Sequence, residues 1–233
     1  MFKKYKDVFA SSYEDLKTFG TSIIQHTIPM ISNDKPVQQK LKKIHLNLEN
    51  QIKMELNKLL KAKIIFPVRH SRWVSSLVPV RKKNGDICIC IDFRKLNKGI
   101  QKDNFSLPTM EQILRSVVGS ELMSFLDGFS GYNQIIVHPN DRLKATFRTK
   151  WGTFAYQKMP FGLINAGATF QQAMDITFKG MLNKTIIVYL YDITIYSKNR
   201  NSHLQDLKHI FERSKKYCIS LNPKRSFLFL FRL

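Results

Sequence analysis

Acidic residues are scarce in this 233-residue chain. Seventeen Asp and Glu stand against 38 Lys and Arg, a formal charge of +21 at pH 7. The basic residues run from Lys3 to Arg232 and do not gather in a tail. That distribution predicts a folded protein with a long basic surface, and phosphate backbones are the usual partner of such a surface. An anionic membrane surface is the alternative partner for the same charge. Cysteine is nearly absent too: Cys88, Cys90 and Cys218 form no CxxC pair and no finger spacing, which argues against a zinc module. Cys88 and Cys90, two apart in a strand-like run, are expected to be buried reduced thiols on one face. No apolar run reaches the length of a membrane span, and Met1-Phe2-Lys3-Lys4-Tyr5-Lys6 lacks the apolar stretch of a signal peptide. A soluble, intracellular protein, cytoplasmic or nuclear and without membrane partners, is expected. Internal repeats and low-complexity tracts are missing as well. What is present is 43% hydrophobic and 12% aromatic residues, enough for a sizeable core in one or two domains.

Residues 1–40 show no clear period and read as an extended lead-in broken by Pro29 and Pro36. From Leu41 the apolar positions Leu41, Ile44, Leu48, Ile52, Leu56 and Leu59 recur at three or four, which predicts an amphipathic helix. Val74–Lys83 and Ile87–Phe93 read as strands joined by Asn84-Gly85, a strong hairpin signal. Pro108 is expected to open a short helix through about Val118. Further strands are expected to end at Asp127 and to cover Ile135–His138, with a hairpin of Lys144–Thr149 and Phe154–Lys158. Asn165 can cap a helix to about Leu182, Ser202–Tyr217 reads as another helix, and Phe227–Phe231 as a last strand. The strand at Asp127, the 165–182 helix, the hairpin after it and the helix and strand that follow make a split βαββαβ pattern.

The stretch Tyr189-Leu190-Tyr191-Asp192, between the apolar runs Ile186–Val188 and Ile193–Ile195, predicts a hairpin that holds a carboxylate at its tip. Asp127 closes the run Met123-Ser124-Phe125-Leu126-Asp127 at another strand end. Two carboxylates on strand ends are the oxygen ligands that Mg²⁺ takes when it handles phosphates.

Several blocks in order resemble the reverse transcriptases of gypsy-class LTR retrotransposons, the polymerase part of their Pol polyprotein. Val80-Arg81-Lys82-Lys83-Asn84-Gly85 through Ile91-Asp92-Phe93-Arg94-Lys95-Leu96-Asn97 is similar to the fingers hairpin. Phe125-Leu126-Asp127-Gly128-Phe129-Ser130-Gly131-Tyr132-Asn133-Gln134-Ile135 resembles the first catalytic block. Met159-Pro160-Phe161-Gly162-Leu163 with Asn165-Ala166-Gly167-Ala168-Thr169-Phe170 resembles the template-and-nucleotide helix, and His203-Leu204 and Leu221-Asn222-Pro223-Lys224 resemble the segment after the catalytic hairpin. His26, in His26-Thr27-Ile28-Pro29, matches a lead-in motif and is expected to be structural.

The resemblance implies an α+β right-hand polymerase. Its palm would be a ferredoxin-like split βαββαβ antiparallel sheet with helices on one face. It places the lead-in at 1–40, mostly fingers at 41–122, palm at 123–143, the fingers return at 144–160 and palm again at 161–233. The implied activity is RNA-directed DNA synthesis, with two Mg²⁺ ions, dNTPs and an RNA or DNA template carrying a primer. By resemblance Asp127 and Asp192 are metal ligands and catalytic, and Lys82, Tyr132, Phe161, Gly162 and Gln171 contact the nucleotide or template. Tyr132 would lie beneath the incoming sugar and Lys82 would reach the triphosphate. Two positions depart from the family. Tyr191 stands where the hairpin of the family, Tyr-x-Asp-Asp, has its first Asp, and a phenol of pKa near 10 is a poor Mg²⁺ ligand at neutral pH. Cys88 stands where the family has a triphosphate-binding Arg, whose charge and fork of donors a thiol cannot supply. With the chain ending soon after Lys224, these departures predict a degenerate or truncated copy without thumb, connection and ribonuclease H portions. A catalytically dead fold that at most binds nucleic acid is the alternative.

Overall fold

A computed structural model describes residues 2–32, 35–81, 85 and 87–231. In chain order its elements are α1 (Leu46–Lys61), β1 (Ile65–Pro67), β2 (Ser75–Arg81), β3 (Ile87–Ile91), α2 (Arg94–Lys98), α3 (Met110–Val117) and β4 (Leu122–Asp127). There follow β5 (Thr146–Thr149), β6 (Gly152–Tyr156), α4 (Ala166–Thr177), β7 (Ile186–Tyr189), β8 (Asp192–Ser197), α5 (His203–Lys216) and β9 (Phe227–Phe231). The chain divides into two compact units, the first made of 1–24, 104–134 and 167–233, the second of 25–103 and 135–166.

The first unit carries a four-stranded antiparallel sheet in the order β7-β8-β4-β9. With α4 after β4 and α5 after β8, this is the expected βαββαβ succession, and β4 lies in the interior of the sheet. Apolar residues lie where the 3.6 period puts them: Phe170, Ala173 and Met174 on α4 and Leu207, Ile210 and Phe211 on α5 are buried. Helix α4 stops at Thr177, short of Leu182, and Gly180 just beyond it takes the left-handed φ of +86° that ends helices.

The second unit holds a five-stranded sheet in the order β1-β6-β5-β2-β3, parallel only between β2 and β5. Helix α1 buries Ile52, Leu56 and Leu59. It begins at Leu46, not Leu41: the His45 ring accepts from the Asn47 amide as the cap, and Leu41 is exposed, its fit to the period being a coincidence of spacing. Pro108 likewise lies outside its helix, one residue before Thr109, which forms a capping box with Gln112. The expected strand Ile135–His138 reduces to bridges from Ile136 to Lys158 and from Val137 to His26. Cys88 and Cys90 are half-exposed opposite Val80 and Val78, which corrects their expected burial: β3 lies at the sheet edge. Asn84 of the expected turn lies outside the described residues. Asn165 bridges to the 101–103 segment, accepting from the Asp103 amide and donating to the Gln101 carbonyl. No helix among the described residues is long and apolar enough to cross a membrane.

Candidate active site

Asp127 ends β4 and Asp192 begins β8, and the two are direct partners across the antiparallel ladder. Alternate residues of a strand face alternate sides, so this register sets both carboxylates at the same level of one sheet face. Asp192 is therefore the first residue of its strand, and the turn proper is Leu190-Tyr191. Leu190 takes a φ of +55°, a left-handed conformation that an ordinary side chain adopts at a cost. Gln171 on α4 stabilises it. Its Oε1 accepts from the Leu190 amide at 2.9 Å, and its Nε2 donates to the Val188 carbonyl at 3.1 Å and to Asp175 at 3.0 Å.

The second half of the turn is fixed from β4: the Gly128 amide donates to the Tyr191 carbonyl at 2.8 Å. A Cβ on Gly128 would come within 3.3 Å of the Tyr191 Cβ. One on Gly131 would meet Phe170 at 3.0 Å and Tyr191 at 3.2 Å. A larger residue at 128 or 131 would thus press on the turn and on Phe170. The Tyr191 ring stands edge-on to Tyr132, centroids 6.1 Å apart, and Tyr132 stands edge-on to Phe170 at 5.6 Å.

Asp127 is buried, whereas Asp192 is exposed at the rim. Asn222 holds Asp127 twice, its amide donating to the Asp127 carbonyl at 2.7 Å and its side chain to Oδ2 at 3.0 Å. Loss of solvent pushes the Asp127 carboxyl above its ordinary pKa, against the Asn222 hydrogen bond and the charge of Arg225. Asp192 is raised by desolvation and then by the charge of Asp127, with Arg225 opposing. Both carboxylates and Arg225 line a cavity of about 260 Å³, whose apolar wall includes Met110, Ile113, Phe125 and Tyr189. Sequence reasoning missed Arg225 altogether, and quoted Asn222 only within a motif. The contact between Asn222 and Asp127 spans 95 residues and has no local signal.

The expected residues separate into groups. Asp127, Asp192, Tyr191 and Tyr132 meet in the first unit. Gln171 belongs there too, but it is 2% exposed and its amide is taken up by the hairpin and Asp175, so it does not line a template or nucleotide surface as expected. Phe161, 70% exposed, Gly162, with a φ of +96°, and Cys88 lie in the second unit. The Gly162 carbonyl accepts from Asn97 at 2.8 Å. Lys82 lies outside the described residues.

Residues 80–230 match the family described as "Reverse transcriptase (RNA-dependent DNA polymerase)". The chain belongs to the reverse transcriptase family. It is 32% identical over 188 residues to the retrovirus-related Pol polyprotein from transposon 297 of Drosophila melanogaster, covering 81% of this chain and 18% of the relative. To the Pol polyprotein from transposon gypsy of the same organism it is 31% identical over 213 residues, covering 89% and 20%. The chain thus spans about a fifth of the length of these curated relatives. Among solved structures, the foamy viral protease-reverse transcriptase dRH in complex with double-stranded DNA superposes with a TM-score of 0.89 at 20% identity, over 100% of this chain and 40% of that one. The same viral enzyme in complex with an RNA/DNA hybrid gives 0.87 at 20% identity, over 97% and 30%. The α+β fold is therefore that of reverse transcriptases, as expected of a right-hand polymerase.

The Asp127–Asp192 pair suits one divalent cation. Desolvation raises both carboxyls and the charge of Asp127 raises Asp192 further, and a bound divalent ion would relieve both. A larger acidic set is missing: among the described residues no group of three or more His, Cys, Asp or Glu is placed to hold a metal.

Gln171 gives the first measurable consequence. Gln171→Leu leaves the half-buried Leu190 amide without its partner and removes the donor to the buried Val188 carbonyl, which is expected to cost about 1–3 kcal/mol. Urea denaturation checks this, and an unchanged midpoint would mean that the turn supports itself.

Proposed function

We propose that this chain is the fingers and palm of a retrotransposon reverse transcriptase. It would add deoxynucleotides to a primer 3′-hydroxyl against an RNA or DNA template, slowly because of Tyr191 and Cys88. The first unit is the palm and the second the fingers. The observation that carries the reading is the cross-strand Asp127–Asp192 pair, reached by folding together segments 65 residues apart. Asp127 and Asp192 would hold a divalent cation. Such an ion, Mg²⁺ in this family, supplies Lewis-acid stabilisation of charge on the transferred phosphoryl group.

The chain's own residues do the positioning. Asn222 and the β4–β8 ladder fix Asp127, and Gln171 and Gly128 fix the turn before Asp192. Tyr132, braced by Phe170 and edge-on to Tyr191, the neighbour of Asp192, would be the surface for an incoming sugar. Arg225 offers a positive charge within the same cavity. Phe161 and Gly162 would meet the template, and Lys82 the triphosphate.

Primer extension on poly(rA)/oligo(dT) with Mg²⁺ or Mn²⁺ tests the reading. Template-dependent incorporation that Asp127→Ala reduces to background supports it. Incorporation indifferent to Asp127→Ala refutes the assigned site, and none from any version, repaired at 191 and 88 included, favours the passive nucleic-acid-binding alternative.

A second expectation concerns stability. Since the folded pKa values of Asp127 and Asp192 are raised, the ionised pair costs stability at neutral pH. Asp127→Asn, which keeps an oxygen for Asn222, is expected to raise the melting temperature in EDTA. It is expected also to abolish the rise that Mn²⁺ gives the wild-type chain. A variant that melts lower in EDTA would show that the carboxylate is needed for folding.

A further inference from the structure

A cavity of about 490 Å³ lies wholly within the second unit, lined by Arg69, His70, Arg72 and Arg148 with Gln38 and Ser71 between them. No Asp or Glu is among its lining residues. None of its three arginines is in an ion pair with a described residue. Elsewhere the scarce acids of this chain do find cations: Asp92 takes both Arg94 and Lys42, and Asp141 takes Lys144. The arginines around this cavity have been left with their donors open.

Their platform is fixed. The Ser71 hydroxyl donates to the Leu143 carbonyl at 2.7 Å, and Gln38 Nε2 donates to the Ser71 carbonyl at 2.9 Å. The Val68 amide donates to Thr153 at 3.0 Å, and Thr153 is the ladder partner of Arg148. The loop carrying Arg69, His70 and Arg72 is therefore tied to Leu143 just before β5, to Gln38, and to Thr153 on β6, the strand paired with that of Arg148. Planar guanidinium forks around one concavity match the oxygens of an anion, and three of them suit the multiply charged phosphate groups of a backbone, not an apolar ligand.

We infer that this cavity binds backbone phosphates of a nucleic-acid strand, and that the second unit holds the strand there by phosphate contacts that carry no sequence information. The identity of the anion as a polynucleotide rests on the polymerase reading. The phosphate chemistry of the cavity does not.

Fluorescence anisotropy with a short labelled single-stranded oligonucleotide, titrated at several salt concentrations, tests the site. The variant Arg69→Gln/Arg72→Gln/Arg148→Gln is compared with Lys53→Gln/Lys58→Gln/Lys63→Gln, which removes the same charge from exposed positions of α1 and the residue after its cap. The arginine variant is expected to bind at least about tenfold more weakly and to flatten the plot of log affinity against log salt by about 2, roughly 0.7 for each lost phosphate contact. Circular dichroism confirms that each variant is folded, and Arg72→Gln alone, at an exposed position, should give about a third of the slope change. Equal losses in the arginine and lysine variants would overturn the proposal, since net charge would then account for binding. Pyrophosphate binding, measured by calorimetry, that the arginine changes abolish while oligonucleotide binding persists would make the cavity a site for free polyphosphates and overturn the strand assignment. Because binding is read without nucleotide incorporation, a failed polymerase reading shows in primer extension and leaves this outcome unaffected.

Discussion

Tyr191→Asp is expected to raise template-directed primer extension in Mg²⁺ on the order of 10²- to 10⁴-fold, equivalent to about 3–5 kcal/mol of transition-state stabilisation. The backbone is already prepared for the change. The turn is held by main-chain atoms of residues 190 and 191, through Gln171 and Gly128, and none of those bonds involves the Tyr191 side chain. What the substitution removes is the edge contact with Tyr132, worth about 0.5–1.5 kcal/mol. What it adds is a third carboxylate beside a pair whose pKa values are already raised. The variant should therefore melt below wild type in EDTA and gain more from Mn²⁺ than wild type does. Adding Cys88→Arg should lower the KM for the nucleotide without reversing the gain in rate. Extension equal to wild type in the presence of Mg²⁺ would show that Tyr191 is not what limits the chain.

Acid is expected to destabilise the second unit between pH 6.5 and about 4, by about 3 kcal/mol, through His26. This histidine is 1% exposed, and its backbone is built into the fold by bonds from its amide to the Ile136 carbonyl and from the His138 amide to its own carbonyl, both 2.8 Å. Burial lowers its pKa from 6.5 to about 4, the charge of Asp141 offsetting only part of that. Below pH 6.5 the unfolded chain takes up a proton that the folded chain refuses, so stability falls with pH until the folded histidine also protonates near 4. His203, fully buried in the first unit, is lowered by desolvation and pulls in the same direction. The raised carboxyls of Asp127, Asp192 and Asp175 pull the other way, because their protonation relieves a cost in the folded state. The His26→Asn comparison separates the histidine's share from theirs. Urea denaturation at pH 7.5, 6, 5 and 4.5 checks this, with His26→Asn expected to flatten the profile. A profile unchanged by that substitution would assign the acid sensitivity elsewhere.

The chain reveals its fold where local rules act alone. The spacing of Ile52, Leu56 and Leu59 and the apolar runs Ile186–Val188 and Ile193–Ile195 on either side of the turn before Asp192 are local patterns that place a helix and a hairpin. The succession βαββαβ followed from those. Short elements without a period were invisible: α2 covers only Arg94–Lys98, held where the Asp92 carboxylate meets the Arg94 amide and guanidinium. The site was legible as two acids and a misplaced tyrosine. Its supports were not, since Asn222 to Asp127 and Gln171 to Leu190 join distant segments. The same holds for the chain of hydrogen bonds inside the first unit. There Ser124 and Ser197 meet the two ring nitrogens of His203 at 2.8 Å each, and Ser197 donates to Asp206 at 2.6 Å. With the Ser197 proton committed to Asp206, its oxygen accepts from Nδ1–H, leaving Nε2 to accept from Ser124.

The sheet order β7-β8-β4-β9 has a bearing on birth as well as on chemistry. Strand β4 leaves the ribosome before either of the strands that flank it. Until residues 192–231 have been made, Leu122–Asp127 has two open edges and nothing to pair with. Such a strand is a template for contacts with neighbouring nascent chains. Slow translation through residues 192–231 would prolong that interval and favour such contacts.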